Sequence, residues 1–237
     1  MSAWRAGQIV SARRESASGR TLRIRLDEPV RARAGQRIDV RLTAEDGYQA
    51  VRPYSLSDIV GPQLLEITVE EVVDGEVSPY LVRTAQPGDR LEARGPVGEW
   101  FTWDASVAEP VQLIGGGSGV VPLMAMLRAH RRAASPAPMR LLYSVRSPAM
   151  AYYREELALA PEQLRAIVRH VYTRDAPAGY DRSVGRLTPE SIAEAVLPAQ
   201  EQPRVYLCGP DAFVDAVAEA LLVQGHPYAR IRTERFG

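Results

Sequence analysis

Val111-Gln112-Leu113-Ile114-Gly115-Gly116-Gly117-Ser118-Gly119-Val120 is the stretch that decides the fold. A short apolar run stops at four glycines within five residues, and a helical pattern follows over residues 120–132. Strand, glycine turn and helix in that order open a parallel α/β unit, and glycines there let a backbone come close to a pyrophosphate. The run departs from the Gly-x-Gly-x-x-Gly fingerprint because Val stands at position 120, and no acidic ribose reader stands near Val145. A bare βα turn would use four glycines extravagantly, given their unfolded-state entropy. A phosphate site is the better account.

Downstream the same rhythm continues. Strands are predicted over 139–145, 166–172, 205–208 and 230–233, with helices over 152–159, 189–196 and 213–223. Such alternation predicts a parallel sheet with helices on both faces. Upstream the period is two. Leu22, Ile24 and Leu26 alternate with Thr21, Arg23 and Arg25, and Ile38, Val40, Leu42 and Leu65, Ile67, Val69 repeat the pattern after Gly/Pro turns. Short strands at close spacing predict an antiparallel β-barrel or sandwich. A short helix is expected from Ser78, with Ser as N-cap and Pro79 at the first helical position. The boundary is placed near 104–110, giving domains 1–105 and 106–237.

Composition narrows the function. The 237 residues carry zero formal net charge, so no global field points to nucleic acid. There is no Lys, so all 29 basic residues are Arg, which coding bias explains as well as function does. The single Cys208 excludes an internal disulfide and a four-cysteine iron–sulfur cluster within these residues. Three scattered His argue against a structural zinc site, and no metal is expected. The N-terminus lacks an apolar signal region, and no run approaches the roughly 20 residues of a spanning helix. A cytoplasmic protein without a membrane partner is expected.

Four further segments carry chemistry. Arg52-Pro53-Tyr54-Ser55 offers a guanidinium fork, a flat ring and a hydroxyl at what reads as a strand end, although alone it reads more simply as a strand with an edge proline. Residues 74–81 are a glycine turn feeding a capped helix, whose start can hold phosphate, although alone it reads more simply as a Ser that merely caps. Cys208-Gly209-Pro210 follows a strand of the parallel sheet, where ligands of open α/β sheets sit. Thr173-Arg174, with Arg182, could read a ribose 2′-phosphate or could be solvated loop arginines.

Taken in order, Arg52 to Ser55, residues 75–78, Gly95-Pro96-Val97-Gly98, residues 115–119, Cys208 to Pro210 and Glu234-Arg235-Phe236 resemble the ferredoxin–NADP reductase superfamily, and most of all the reductase modules of bacterial oxygenases. The resemblance spans nearly the whole chain. It implies a flavin-binding barrel followed by a nicotinamide dinucleotide domain, with hydride passing from NADPH or NADH to FAD. It implies that Arg52 holds the flavin pyrophosphate, Pro53 and Val69 border the cofactor, Tyr54 stacks on the ring and Ser55 bonds its N5. Gly75, Val77 and Ser78 would take the pyrophosphate, which points to FAD rather than FMN. Gly116, Gly117, Ser118 and Gly119 would pack against the nicotinamide nucleotide, with Cys208, Gly209 and Pro210 by its ring. Phe236 would cover the flavin's other face and move aside for nicotinamide, and Glu234 would join Ser55 in a proton path. Thr173-Arg174 stands where the family usually has Ser-Arg, which leans to NADPH. Oxygenase reductases often carry a fused iron–sulfur domain, and its absence here implies a separate one-electron acceptor, a ferredoxin or an oxygenase component. Two other readings stand beside this one: a non-catalytic flavin-carrying subunit of a larger redox complex, and a nucleotide-sensing module with no redox role.

Overall fold

The computed structural model describes residues 3–236. It divides into two compact units, Met1–Trp103 and Asp104–Gly237. The first is a closed antiparallel barrel of six strands: β1 (Arg5–Arg14), β2 (Gly19–Leu26), β3 (Arg37–Thr43), β4 (Gln49–Gly61), β5 (Leu64–Glu70) and β6 (Arg90–Val97), in the order β1-β2-β5-β4-β3-β6. The alternating apolar residues fill its interior. Leu22, Ile24, Ile38, Val40, Leu65, Ile67 and Val69 are fully buried together. Arg23 and Arg25 between them face solvent.

Strand β4 changes partner along its length. Gln49 to Ser55 pair with β3, whereas the ladder to β5 begins only at Leu56. Proline has no N–H to give a second neighbour, so Pro53 fits a segment paired on one side. The Arg52-to-Ser55 tetrapeptide therefore lies inside a 13-residue strand rather than at its end. The short helix expected from Ser78 forms: Ser78 and Pro79 are helical and lead into a five-residue π-helical turn, Tyr80–Thr84, but no side chain caps it, so the expected capping role of Ser78 is corrected. The Ser78 hydroxyl is engaged elsewhere, accepting the Val72 N–H at 3.0 Å.

The second unit is a five-stranded parallel sheet in the order β11-β10-β7-β8-β9. Its strands are β7 (Val111–Gly116), β8 (Met139–Val145), β9 (Ile167–Tyr172), β10 (Arg204–Gly209) and β11 (Ile231–Arg235). Its helices are α1 (Val120–Arg132), α2 (Arg154–Ala158), α3 (Ala160–Gln163), α4 (Pro189–Ala195) and α5 (Asp211–Val223). Near-continuous apolar strands such as Val111-Gln112-Leu113-Ile114, buried throughout, are what a parallel sheet covered on both faces needs. Ile114, Leu142, Val205 and Leu207 form one core with Ile192 of α4 and Val214, Val217 and Leu221 of α5. The first strand, β7, is central, and the chain builds outward to β9 before returning to β10. The order reverses between β7 and β10, and in open α/β sheets ligands bind at such a switch point, beyond the carboxyl ends of the strands. Among the described residues no helix is long and apolar enough to cross a membrane.

Candidate functional site

In the barrel, Arg52, Pro53 and Tyr54 line a groove of about 280 Å³ with Val72 and residues 74–78. Tyr54 is half-buried, and burial pushes its hydroxyl well above the usual phenol range against a weaker opposing pull from Arg52. The ring is therefore a neutral, flat wall. Gly75 sits tightly: a Cβ there would lie 3.0 Å from the Val72 carbonyl oxygen and 3.1 Å from Ser78 Oγ. Ser55 is half-buried one residue beyond Tyr54. Val77 is fully buried, so it faces the groove through its backbone. Val69 packs in the barrel core, fully buried, and does not line the groove. Two residues that sequence reasoning missed complete it. Glu76 accepts from Arg52 Nη2 at 2.5 Å and from the Tyr48 hydroxyl.

In the second unit the expected residues gather at the switch point. The chain leaves β7 through a 3₁₀ turn, Gly117–Gly119, directly into α1. The glycines there have separate reasons. A Cβ on Gly116 would lie 2.7 Å from the Phe213 ring, and one on Gly119 would lie 2.2 Å from the Cys208 carbonyl oxygen. Those two are required by the chain's own packing. Gly117 has φ +56° with nothing within 4 Å of an added Cβ, so it borders open space. It begins the turn ahead of the 13-residue α1, whose N-terminus favours an anion.

Cys208 stands on β10 with Gly115 of β7 on one side and Glu234 of β11 on the other. It is buried, and burial first, with the Glu234 carboxylate second, raises its thiol well above the ordinary value. The thiol thus stays protonated at neutral pH, which excludes a thiolate nucleophile. Gly209 shares the Phe213 ring with Gly116, since a Cβ on Gly209 would lie 2.6 Å from it. Pro210 caps α5. The C-terminal segment is anchored beside them. The Phe236 N–H donates to the Gly209 carbonyl at 3.3 Å, and Arg235 pairs with Asp215 at 2.7 Å. Phe236 itself is exposed.

Thr173 and Arg174 lie just past β9, held to the adjacent strand end by Thr173 N–H to Val145 and Arg174 N–H to Arg146 carbonyls. This brings in Arg146, another residue that sequence reasoning missed. It follows β8, where a dinucleotide-binding sheet would place its acidic ribose reader, and that position was the available signal. Arg146 and Arg174 are both exposed. Arg182 is not brought into that cluster. It lines a separate cavity of about 580 Å³ with Arg169, Arg186 and α4. Burial, then Arg182 and Arg140, lowers the Arg169 pKa.

These groups fit phosphate-bearing cofactors. The barrel's arginine already holds an oxyanion, and the carboxyl end of the central strand offers an open glycine turn ahead of a helix. Among the described residues no cluster of His, Cys, Asp and Glu suits a metal ion.

Known proteins match both units. Residues 6–102 match the oxidoreductase FAD-binding domain and residues 113–219 the oxidoreductase NAD-binding domain. The chain is 30% identical to the ferredoxin–NAD(P)(+) reductase component of the naphthalene 1,2-dioxygenase/salicylate 5-hydroxylase systems of Ralstonia sp, over 89% of this chain and 63% of that protein. It is 30% identical to a flavohemoprotein of Deinococcus radiodurans, over 84% of this chain and 50% of that one. It thus spans about half to two thirds of these relatives' length. The FAD/NAD-binding domain of nitric oxide dioxygenase from Vibrio cholerae superposes with a TM-score of 0.87 at 28% identity, covering 98% of each chain.

Proposed function

Because the chain belongs to the ferredoxin–NADP reductase superfamily, we propose that it is an NAD(P)H-dependent FAD reductase that takes hydride from NADPH and passes single electrons to a separate ferredoxin or oxygenase component. Residues 1–105 form the FAD-binding domain and 106–237 the NAD(P)-binding domain. The observation that carries this reading is the switch point: the turn after β7, Cys208 to Pro210 at the end of β10, and Phe236 tied to Gly209 meet at the carboxyl ends of the strands.

FAD, when bound, accepts a hydride and gives up its electrons one at a time, and the protein supplies binding and electrostatics. Arg52 binds the flavin phosphates, Tyr54 gives the ring a neutral face, and Ser55 hydrogen-bonds at the hydride-accepting nitrogen. Gly75 and the backbone of Val77 and Ser78 border the phosphates. Residues 116–119 receive the pyrophosphate of the nicotinamide nucleotide. Cys208, paired with Glu234 across to β11, would lie by the nicotinamide; Glu234 would join Ser55 in a proton path, and Phe236 would cover the flavin and move aside for nicotinamide. Arg146 and Arg174 read the 2′-phosphate, which is why NADPH is preferred to NADH; an arginine fork recognises phosphate where a carboxylate would reject it. The acceptor's one-electron centre lies outside these 237 residues, because one cysteine cannot hold an iron–sulfur cluster. The reaction is cytoplasmic.

The testing experiment is steady-state reduction of a plant-type or Rieske-type ferredoxin by the purified chain with each nicotinamide. NADPH should support the higher kcat/KM. Failure to reduce any one-electron acceptor with either nucleotide would overturn the reading.

A further inference from the structure

The guanidinium assigned to the flavin phosphates is already holding an anion. Arg52 Nη2 donates to one Glu76 oxygen at 2.5 Å, and the Tyr48 hydroxyl donates to the other. Arg52 belongs to β4, and Glu76 to the turn that also lines the groove. The pair therefore joins two segments that line the groove.

Its geometry sets it apart from the ion pairs that join facing strands of the barrel. Arg23–Glu66, Arg41–Glu92 and Arg94–Asp39 join residues directly opposite one another in neighbouring strands, where they brace the ladder. Arg52–Glu76 joins a strand to a turn 24 residues away in sequence and braces no ladder position. Both partners are about half exposed. A guanidinium fork accepts carboxylate and phosphate in the same bidentate geometry. A phosphate reaching Arg52 must therefore compete with the Glu76 carboxylate. The hydrogen bond from Tyr48, then that from Arg52, holds the Glu76 carboxyl below its usual range, so it is charged at neutral pH.

We propose that Glu76 is a resident counter-ion of the flavin site, occupying Arg52 when flavin is absent and yielding it to the cofactor phosphates, so that it sets how tightly FAD is held. The inference rests on the reading of this groove as the flavin site. Glu76 weakens binding of any flavin that carries phosphate and is indifferent to the isoalloxazine ring itself.

Flavin-free full-length protein should be titrated with FAD, FMN and riboflavin by quenching of flavin fluorescence. Glu76→Gln removes the charge and keeps an oxygen for Tyr48. An exposed ion pair is worth up to about 1 kcal/mol, which converts to roughly a fivefold lower Kd for FAD and FMN. Riboflavin affinity should not change. Glu76→Ala should repeat the gain, and in an Arg52→Gln background it should shrink to less than about twofold. Weaker FAD binding by Glu76→Gln would overturn the proposal and make Glu76 a positioning residue for Arg52. An equal gain for riboflavin, or a gain that persists without Arg52, would overturn it too. Failure of the unaltered chain to bind FAD, or unchanged FAD affinity in Arg52→Gln alone, would instead remove the flavin-site reading and the proposal with it. Melting curves of the flavin-free variants separate a folding defect from a change in affinity.

Discussion

On the function proposed here, the barrel and the parallel sheet would meet phosphate in opposite ways. The barrel would use a charged side chain on a strand, Arg52, which is paired with Glu76 of a turn. The sheet uses backbone at the point where strand order reverses, and its turn there is glycine-rich for two reasons at once. Gly116 and Gly119 are forced by Phe213 and by the β10 carbonyl of Cys208, while Gly117 keeps its surroundings open. A side-chain site is tuned by charge and can be adjusted residue by residue. A backbone site is fixed by topology and fails through packing.

That contrast predicts where substitutions hurt most. Gly119→Ala should be the most damaging, because its Cβ would lie 2.2 Å from a backbone oxygen that cannot move aside. Overpacking costs about 1–3 kcal/mol and occasionally more, and calorimetry should show the second unit unfolding below the first. A native-like melt would show that the turn relaxes and would break the contrast. Gly117→Ala, with room for its Cβ but φ +56°, should cost only about 1–2 kcal/mol. On the barrel side, Arg52→Ala should leave the fold intact and weaken FAD binding by roughly 10–100-fold, the worth of charge-assisted hydrogen bonds of about 1.5–3 kcal/mol. A FAD titration beside a melting curve checks it.

Next in size is nucleotide choice. Arg146→Ala and Arg174→Ala should each reduce the NADPH-over-NADH ratio of kcat/KM by about tenfold, or roughly 1.4 kcal/mol. Arg182→Ala should move it little, because Arg182 lines the other cavity. The smallest effect concerns pH. The Cys208 thiol is raised by burial in the folded chain and titrates near its ordinary value of about 8.5 when unfolded. Its contribution is fully present below that pH and declines as pH rises toward the folded value, by at most about 1.4 kcal/mol per pH unit. Denaturant unfolding should show this slope above pH 8.5, and Cys208→Ala should flatten it.

Much of this was legible in the sequence. The period of two over residues 22–26, 38–42 and 65–69 gave barrel strands because each alternation maps onto one buried face. Strand β1 escaped notice because a register shift between Ile9 and Ser11 breaks its alternation. The helix signal at Ser78-Pro79 marks where the helical segment begins, but not how it is capped: the hydroxyl expected to cap it instead holds Val72, and the segment passes into a π-helical turn. The glycine run was read as room for a ligand, yet two of its members answer to residues some 90 positions away, a demand no local pattern displays. Arg146 was legible by its position just after the predicted strand over 139–145, but its company with Arg174 needed β8 and β9 to be neighbours. Glu76 was not legible, since nothing in the sequence pairs a turn carboxylate with an arginine on a strand that also lines the groove.

The central claim is that hydride leaves NADPH and arrives on a flavin held by this chain. Anaerobic stopped-flow mixing of the FAD-loaded protein with one equivalent of NADPH, followed at the flavin absorption band, tests it most directly. The account predicts full bleaching, faster with NADPH than with NADH and slowed in Ser55→Ala. A protein that binds no flavin, or bound flavin that keeps its colour with either nucleotide, would contradict it.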